Sequence, residues 1–74
     1  MNTNHAKSLA ETFVAQAVAL AQDGNWNKAK AITRNVWGIL CAHANEGWAD
    51  LYKSELVEFR NCIRARNLNE RWGG

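Results

Sequence analysis

The side chains best suited to catalysis or metal binding in this chain are two cysteines and two histidines. Cys41 and His43 stand two residues apart, which places them on different faces of a helix, and neither Cys62 nor His5 lies at a ligand spacing from them. A nucleophilic cysteine needs a base beside it in a cleft, and a chain of 74 residues has little room for one. We therefore predict buried, reduced cysteines, no metal site, no cofactor and no enzymatic activity.

Positive charge is unevenly distributed along the chain, although the net charge is only +2. Residues 25–45 contain cations and no acid, and residues 60–74 hold arginines against a single glutamate. A basic helix face near an aromatic ring can hold phosphates and stack a base. The candidate nucleic-acid-binding residues are Lys28, Lys30, Arg34, Arg60, Arg64, Arg66 and Arg71. The alternative, which we favour, is a solvated helix end whose cations complement the helix dipole. A surface shared by the two basic groups would strengthen the nucleic-acid interpretation, but the sequence does not show whether they share one.

Four tryptophans are the second unusual feature of the composition. Trp37 lies in an apolar helical stripe and is expected in the core, whereas Trp26 and Trp48 each follow a turn and Trp72 lies near the end of the chain. Large aromatic side chains beyond what a core needs are typical anchors of protein interfaces. The predicted protein-binding residues are Trp26, Trp48 and Trp72 as anchors, with Tyr52, Arg60 and Arg64 at the periphery. The expected partner is another protein or a second copy of this chain.

Three helical segments must position these side chains. The chain has no proline, and Gly24 and Gly47 divide it. Gly24 suits the left-handed position that follows a helix, and either Asn4 or Ser8 could cap the first segment. The predicted helices cover about residues 5–22, 26–44 and 48–66.

Short turns make neighbouring helices antiparallel, so the predicted fold is an all-α, up-down-up three-helix bundle. The bundle forms a single domain over residues 1–74, with residues 2–4 and 67–74 frayed. The terminal Gly73-Gly74 pair fits either a frayed end or a processing signal. Because a core of this size supplies few kcal/mol, dimerisation could complete the bundle.

Apolar residues at helical spacing identify the faces expected to be buried. In the first helix they are Leu9, Phe13, Val14, Ala17, Leu20 and Ala21. The central helix has one stripe of Ala29, Ile32, Val36, Ile39, Leu40 and His43, and a second of Trp37, Cys41 and Ala44. In the third helix they are Leu51, Tyr52, Leu56, Phe59 and Ile63. The wide apolar arc of the central helix predicts that it lies between the other two.

The first turn carries a small residue before the bend, a glycine at it, an aromatic residue after it and then an alanine. These positions are Ala17, Gly24, Trp26, Ala29 and Ile32. The pattern, over about residues 14–40, resembles the helical hairpin of a tetratricopeptide repeat. The resemblance implies a packed hairpin and only weakly the peptide-binding role of repeat arrays, since no second copy about 34 residues away is visible.

Taken together, these features predict a small non-enzymatic protein-binding module, an adaptor or inhibitor that occupies a partner's surface. Small helical proteins without motifs are similar in size and character to phage or mobile-element accessory factors. The alternative is a regulator that binds or mimics nucleic acid. The longest apolar runs, residues 17–21 and 36–42, are far too short for a membrane span, and no secretory signal is evident. We therefore expect a cytoplasmic protein without membrane association or a small-molecule substrate.

Overall fold

The computed structural model describes residues 2–73, which form three α-helices and one short 3₁₀ helix. The elements are α1 (Thr3–Gln22), α2 (Trp26–Ala42), α3 (Gly47–Ala65) and the 3₁₀ helix Glu70–Trp72. They form a small all-α three-helix bundle, which confirms the predicted fold class. None of these helices combines the length and the apolar character that crossing a membrane requires. Gly74, and with it part of the terminal glycine pair, lies outside the described residues.

Two contacts between distant parts of the chain give the direction of the helices. Thr3, at the start of α1, donates a hydrogen bond from its hydroxyl to the carboxylate of Glu46, just before α3. Gln22, at the end of α1, donates from its amide to the carbonyl of Trp72, beyond the end of α3. α1 and α3 therefore run in the same direction, and α2 runs antiparallel to both.

The first helix begins earlier than the sequence analysis predicted. The side chain of Asn2 accepts a hydrogen bond of 2.8 Å from the backbone N–H of His5, so Asn2 is the N-cap and neither Asn4 nor Ser8 has this role. Residues 2–4 are therefore the cap and first turn of α1 and not a frayed end. The hydrogen bond from Thr3 to Glu46 also holds this end of α1, and no local sequence pattern indicates it.

The turn after α1 forms as predicted. Gly24 has a φ of 81°, in the left-handed region. Its N–H bonds to the carbonyl of Ala21, and the N–H of Asn25 bonds to that of Leu20 at 2.8 Å. This is the Schellman arrangement of a helix C-terminus, in which glycine is favoured because it has no Cβ.

The core lies between α2 and its two neighbours, while α1 and α3 are less close to each other. The fully buried residues of α1 are all alanines, namely Ala6, Ala10, Ala17 and Ala21. The largest fully buried side chains are those of Phe59, Leu40, Val36 and Thr33. Small side chains on α1 allow its backbone to approach α2 closely, and the larger ones flank the contact.

Several predicted core positions proved to face solvent. Cys41 and Ala44 are exposed, so the second stripe of α2 is buried only in part, through half-buried Trp37. Leu51 is 66% exposed, although it matched the apolar spacing of α3. α1 and α3 are the helices that neighbour α2, and within residues 2–73 one arc of α2 stays exposed. The buried Thr33 was not predicted; its hydroxyl donates to the carbonyl of Lys30 at 2.6 Å, which satisfies it inside the core.

The chain after α3 also differs from the predicted fraying of residues 67–74. Asn69 caps the 3₁₀ helix by accepting a hydrogen bond of 3.0 Å from the N–H of Arg71. Leu68 and Trp72 are half-buried against the core. The described part of this segment, up to Gly73, thus turns back onto the bundle.

Candidate functional site

A cleft of about 190 Å³ lies where the start of α2 meets the end of α3. Its lining comprises four cations, one aromatic ring, one amide and one aliphatic side chain, and contains no carboxylate. These residues are Lys30, Arg60, Arg64, Arg66, Trp26, Asn27 and Ile63. Four positive groups therefore converge on one concave surface of a protein with a net charge of only +2.

The antiparallel pairing of α2 and α3 brings these side chains together. In such a hairpin, residues at nearly equal distances from the connecting turn face each other, and Lys30 and Arg60 lie at distances from the turn at residues 43–46 that differ by one residue. Trp26 and Lys30 are four residues apart on α2, and Arg60 and Arg64 are four apart on α3, so each pair lies on one face of its helix. The two basic groups of the sequence thus share a surface through these members.

Arg66 reaches the cleft from an unusual backbone conformation. Its φ of 52° and ψ of 42° are left-handed, and among the described residues it is the one non-glycine with a positive φ. Helices commonly end in this conformation with a glycine, because a Cβ is strained there by about 1–2 kcal/mol. The chain therefore tolerates strain at a position whose side chain lines the cleft.

A second aromatic ring extends the basic surface along the same helix pair. The ring of Trp37 has the ammonium of Lys53 at 5.7 Å and the guanidinium carbon of Arg60 at 5.9 Å from its centroid. These cation–π contacts hold the stem of Arg60 against the protein. Sequence reasoning placed Trp37 in the core, and it did not include Lys53 among the candidate nucleic-acid-binding residues. Trp37 and Lys53 lie at nearly equal distances from the turn between α2 and α3, as do Lys30 and Arg60, and this antiparallel register is the signal that could have found them.

Not all of the predicted nucleic-acid-binding residues join this surface. Arg71 is paired with carboxylate oxygens of Glu55 and Glu58, each at 2.7 Å. Lys28 and Arg34 are exposed and do not line the cleft. By contrast, within residues 2–73 the four cations of the cleft have no carboxylate within 4.0 Å.

The predicted protein-binding residues separate into two groups. Trp26, Arg60 and Arg64 line the cleft. Trp48 and Tyr52 instead lie at the other end of α3, with their rings in edge contact at 5.7 Å between centroids. The indole N–H of Trp48 donates to Glu46 at 3.1 Å. The hydrogen bond from Thr3, supported by those from His43 and Trp48, lowers the pKa of Glu46 even though partial burial opposes this.

Tyr52 and Trp72 line a second groove, of about 220 Å³, between α1 and α3. Most of its lining is apolar, including Val14, Val36 and Leu56. The hydroxyl of Tyr52 donates to Glu11 across the groove at 2.5 Å. This bond, with partial burial and the nearby carboxylates, raises the pKa of Tyr52 to about 12.

In the described part of the chain, no group of three or more histidine, cysteine and acidic side chains is placed to hold a metal ion. The four cations that line the cleft can bind an anion, with one aromatic ring and one amide beside it. Comparison with protein-family models, with curated proteins and with solved structures gives no match.

Proposed function

We propose that this protein binds nucleic acid through the cleft between α2 and α3, with Lys30, Arg60, Arg64 and Arg66 contacting phosphates. The observation that supports this function is the convergence of these four cations from two helices without a carboxylate in the lining. Lys30 from the first basic group and three arginines from the second thus share a surface, which strengthens the nucleic-acid interpretation relative to a solvated helix end.

Electrostatics explains why an anionic polymer suits this surface. Like charges gathered in one cleft repel one another, and their repulsion is relieved when phosphates enter. Each neutralised phosphate also releases condensed counterions, so the affinity depends on salt. Four phosphate contacts correspond to a slope of about −3 in a plot of log affinity against log salt concentration. Because the net charge of the protein is only +2, the attraction for phosphates is concentrated at the cleft.

Fluorescence anisotropy with a labelled oligonucleotide, measured over a range of salt concentrations, tests this function. Lys30→Ala and Arg64→Ala should each weaken binding about fivefold or more and reduce the salt slope by about 1. Lys28→Ala is the matched control, because it removes the same charge from the same helix. Lys28 lies about 200° around the axis of α2 from Lys30 and does not line the cleft. Equal losses for Lys28→Ala and Lys30→Ala, or no salt dependence, would contradict the proposal.

A specific surface favours protein binding as a second candidate function. Leu51 is 66% exposed and lies one turn after Trp48 and beside Tyr52 on α3. An exposed leucine next to two half-buried aromatic rings is the composition of an interface core. A second copy of this chain is the occupant we propose, since a core this small benefits from dimerisation. Either function is non-enzymatic and is proposed for a cytoplasmic protein.

Sedimentation equilibrium over a wide concentration range tests the second candidate. The average mass of the natural chain should rise toward that of a dimer, and Leu51→Lys should suppress the rise. Val57→Lys is the control, because Val57 is also exposed, at 44%, but lies on another face of α3. A mass that stays monomeric at every concentration would exclude self-association.

A further inference from the structure

The cleft contains an aromatic ring that the bundle leaves without a ring or a cation as its partner. Trp48 contacts the rings of His43 and Tyr52, Trp72 contacts another ring and a cation, and Trp37 has two cations over it. Among the described residues, the remaining tryptophan, Trp26, has neither kind of contact. It is half-buried and lines the wall of the basic cleft.

We infer that the cleft takes single-stranded nucleic acid and that Trp26 stacks one base while the surrounding cations hold the adjoining phosphates. This inference rests on the proposed function and specifies its ligand. An aromatic face beside a positively charged groove is the combination with which proteins bind single strands, because every base has a π-face whatever its sequence. Ile63, in the same lining, adds an apolar contact for the base, and the Asn27 amide offers both a donor and an acceptor to its edge.

The shape of the surface argues against a duplex as the preferred ligand. A helix that reads duplex DNA must project into the major groove, which is about 12 Å wide. Here the cations line a concavity between α2 and α3, and both helices are packed side by side along it. In a duplex the bases are stacked and paired, so a base could reach Trp26 only by leaving the stack, which costs a few kcal/mol. A single strand presents its bases without that cost.

The position of Trp26 relative to the cations separates the contact to a base, made by the ring, from the contacts to phosphates, made by the cations. Lys30 follows Trp26 by four residues on the same face of α2, and Arg64 faces this end of α2 from α3. A base on the ring therefore has a cation from each helix beside it, at the places where its own and the next phosphate can lie. Loss of the ring should affect only ligands that can present a base, whereas loss of a cation should affect every polyanion.

The test compares a fluorescein-labelled single strand of about 12 nucleotides with the duplex of the same sequence, by anisotropy at one low salt concentration. The variants are Trp26→Leu, which keeps apolar bulk at the start of α2 without a π-face, and Trp26→Phe, which keeps a π-face. Far-UV circular dichroism and the urea midpoint confirm that each variant is folded. Arg64→Ala reports on the cations, and Trp48→Leu is the matched control for losing a tryptophan elsewhere on the protein.

We expect the natural protein to bind the single strand at least about tenfold more tightly than the duplex. Trp26→Leu should weaken single-strand binding about five- to tenfold, Trp26→Phe by less than about threefold, and neither should change duplex binding. Arg64→Ala should weaken both. Equal affinities for the two ligands, or single-strand binding that Trp26→Leu leaves unchanged, overturn the inference while the effect of Arg64→Ala keeps the proposed function. If neither oligonucleotide binds, the proposed function fails as well.

Discussion

The indole ring of Trp72 lies against the phenyl ring of Phe59, with 5.1 Å between the ring centroids and 54° between their planes. Phe59 is fully buried, so this contact joins the end of the chain to the core. Gln22 holds the carbonyl of Trp72 at 3.1 Å, and Arg71 bridges to Glu55 and Glu58 on α3. The segment after α3 is thus part of the bundle and closes one end of the groove between α1 and α3.

Truncation of this ring should lower the stability of the whole domain. Trp72→Ala should reduce the free energy of unfolding by about 1–2 kcal/mol, less than for a fully buried tryptophan because Trp72 is only half-buried. Trp72→Phe should have a smaller effect, since it also removes an indole N–H that is buried without an acceptor. Urea denaturation followed by circular dichroism measures both.

Arg71→Ala is the comparison for the same segment. Its two ion pairs are solvent-exposed, with 47% of the arginine side chain accessible, and exposed pairs of this kind contribute less than about 1 kcal/mol. Arg71→Ala also removes the guanidinium that lies 5.0 Å from the centroid of the Trp72 ring, but it leaves the contact between Trp72 and Phe59 in place. If Trp72→Ala had no more effect than Arg71→Ala, the contact with Phe59 would not be what holds the segment.

Local sequence signals predicted most of the fold, and tertiary geometry explains where they failed. Gly24 ended α1 as expected because its left-handed conformation depends only on nearby backbone. The exposure of Cys41 and Leu51 could not be predicted, since apolar spacing gives the width of a stripe but not how much of it a neighbour covers. The cap at Asn2 is stabilised by a contact between residues far apart in sequence, which no short motif encodes.

The candidate site was predictable to a similar degree. The antiparallel topology already implies that Lys30 and Arg60 face each other, so the shared basic surface follows from the predicted fold. The ion pairs of Arg71 with Glu55 and Glu58 could not be predicted from the sequence, because they require the chain to reverse direction after α3. The lack of a ring or cation partner for Trp26 among the described residues could not be predicted either, because it depends on where every other ring and cation lies.

The alkaline titration of Tyr52 provides a direct test of its bond to Glu11. Tyr52 is the single tyrosine, so the absorbance change of tyrosinate reports on this residue alone. Its ionisation should occur near pH 12 in the folded protein, and Glu11→Gln should move it toward the usual value of about 10.

The sign of the linked stability follows from the direction of this shift. Because the pKa of Tyr52 is higher in the folded than in the unfolded chain, its contribution is fully present below about pH 10 and is lost as the pH rises toward about 12. The natural protein should therefore lose more stability over this interval than Glu11→Gln does. A tyrosine that ionises near pH 10 in both proteins would show that the hydrogen bond does not persist in solution.

The alanine face of α1 should be intolerant of larger side chains. Ala17 is completely buried, and Leu at this position adds atoms to a filled contact, which destabilises proteins by about 1–3 kcal/mol. Ala19→Leu makes the same change two residues away on the exposed face of the same helix and should be within about 0.5 kcal/mol of the natural protein. Thermal unfolding of the two variants measures the difference, and equal melting temperatures would mean that α1 does not lie as close to the core as described.

Arg66 should show opposite effects on stability and on binding. Arg66→Gly relieves the strain of a Cβ at a φ of 52°, so it should raise the free energy of unfolding by about 0.5–1 kcal/mol after the greater freedom of glycine in the unfolded chain is included. The same change removes a cation from the cleft and should weaken oligonucleotide binding severalfold. Arg64→Gly is the contrasting variant, because it removes a charge from a regular helical position and should reduce both stability and affinity. A more stable Arg66→Gly protein with unchanged affinity would mean that this arginine does not contact the ligand and that the strained helix end has another origin.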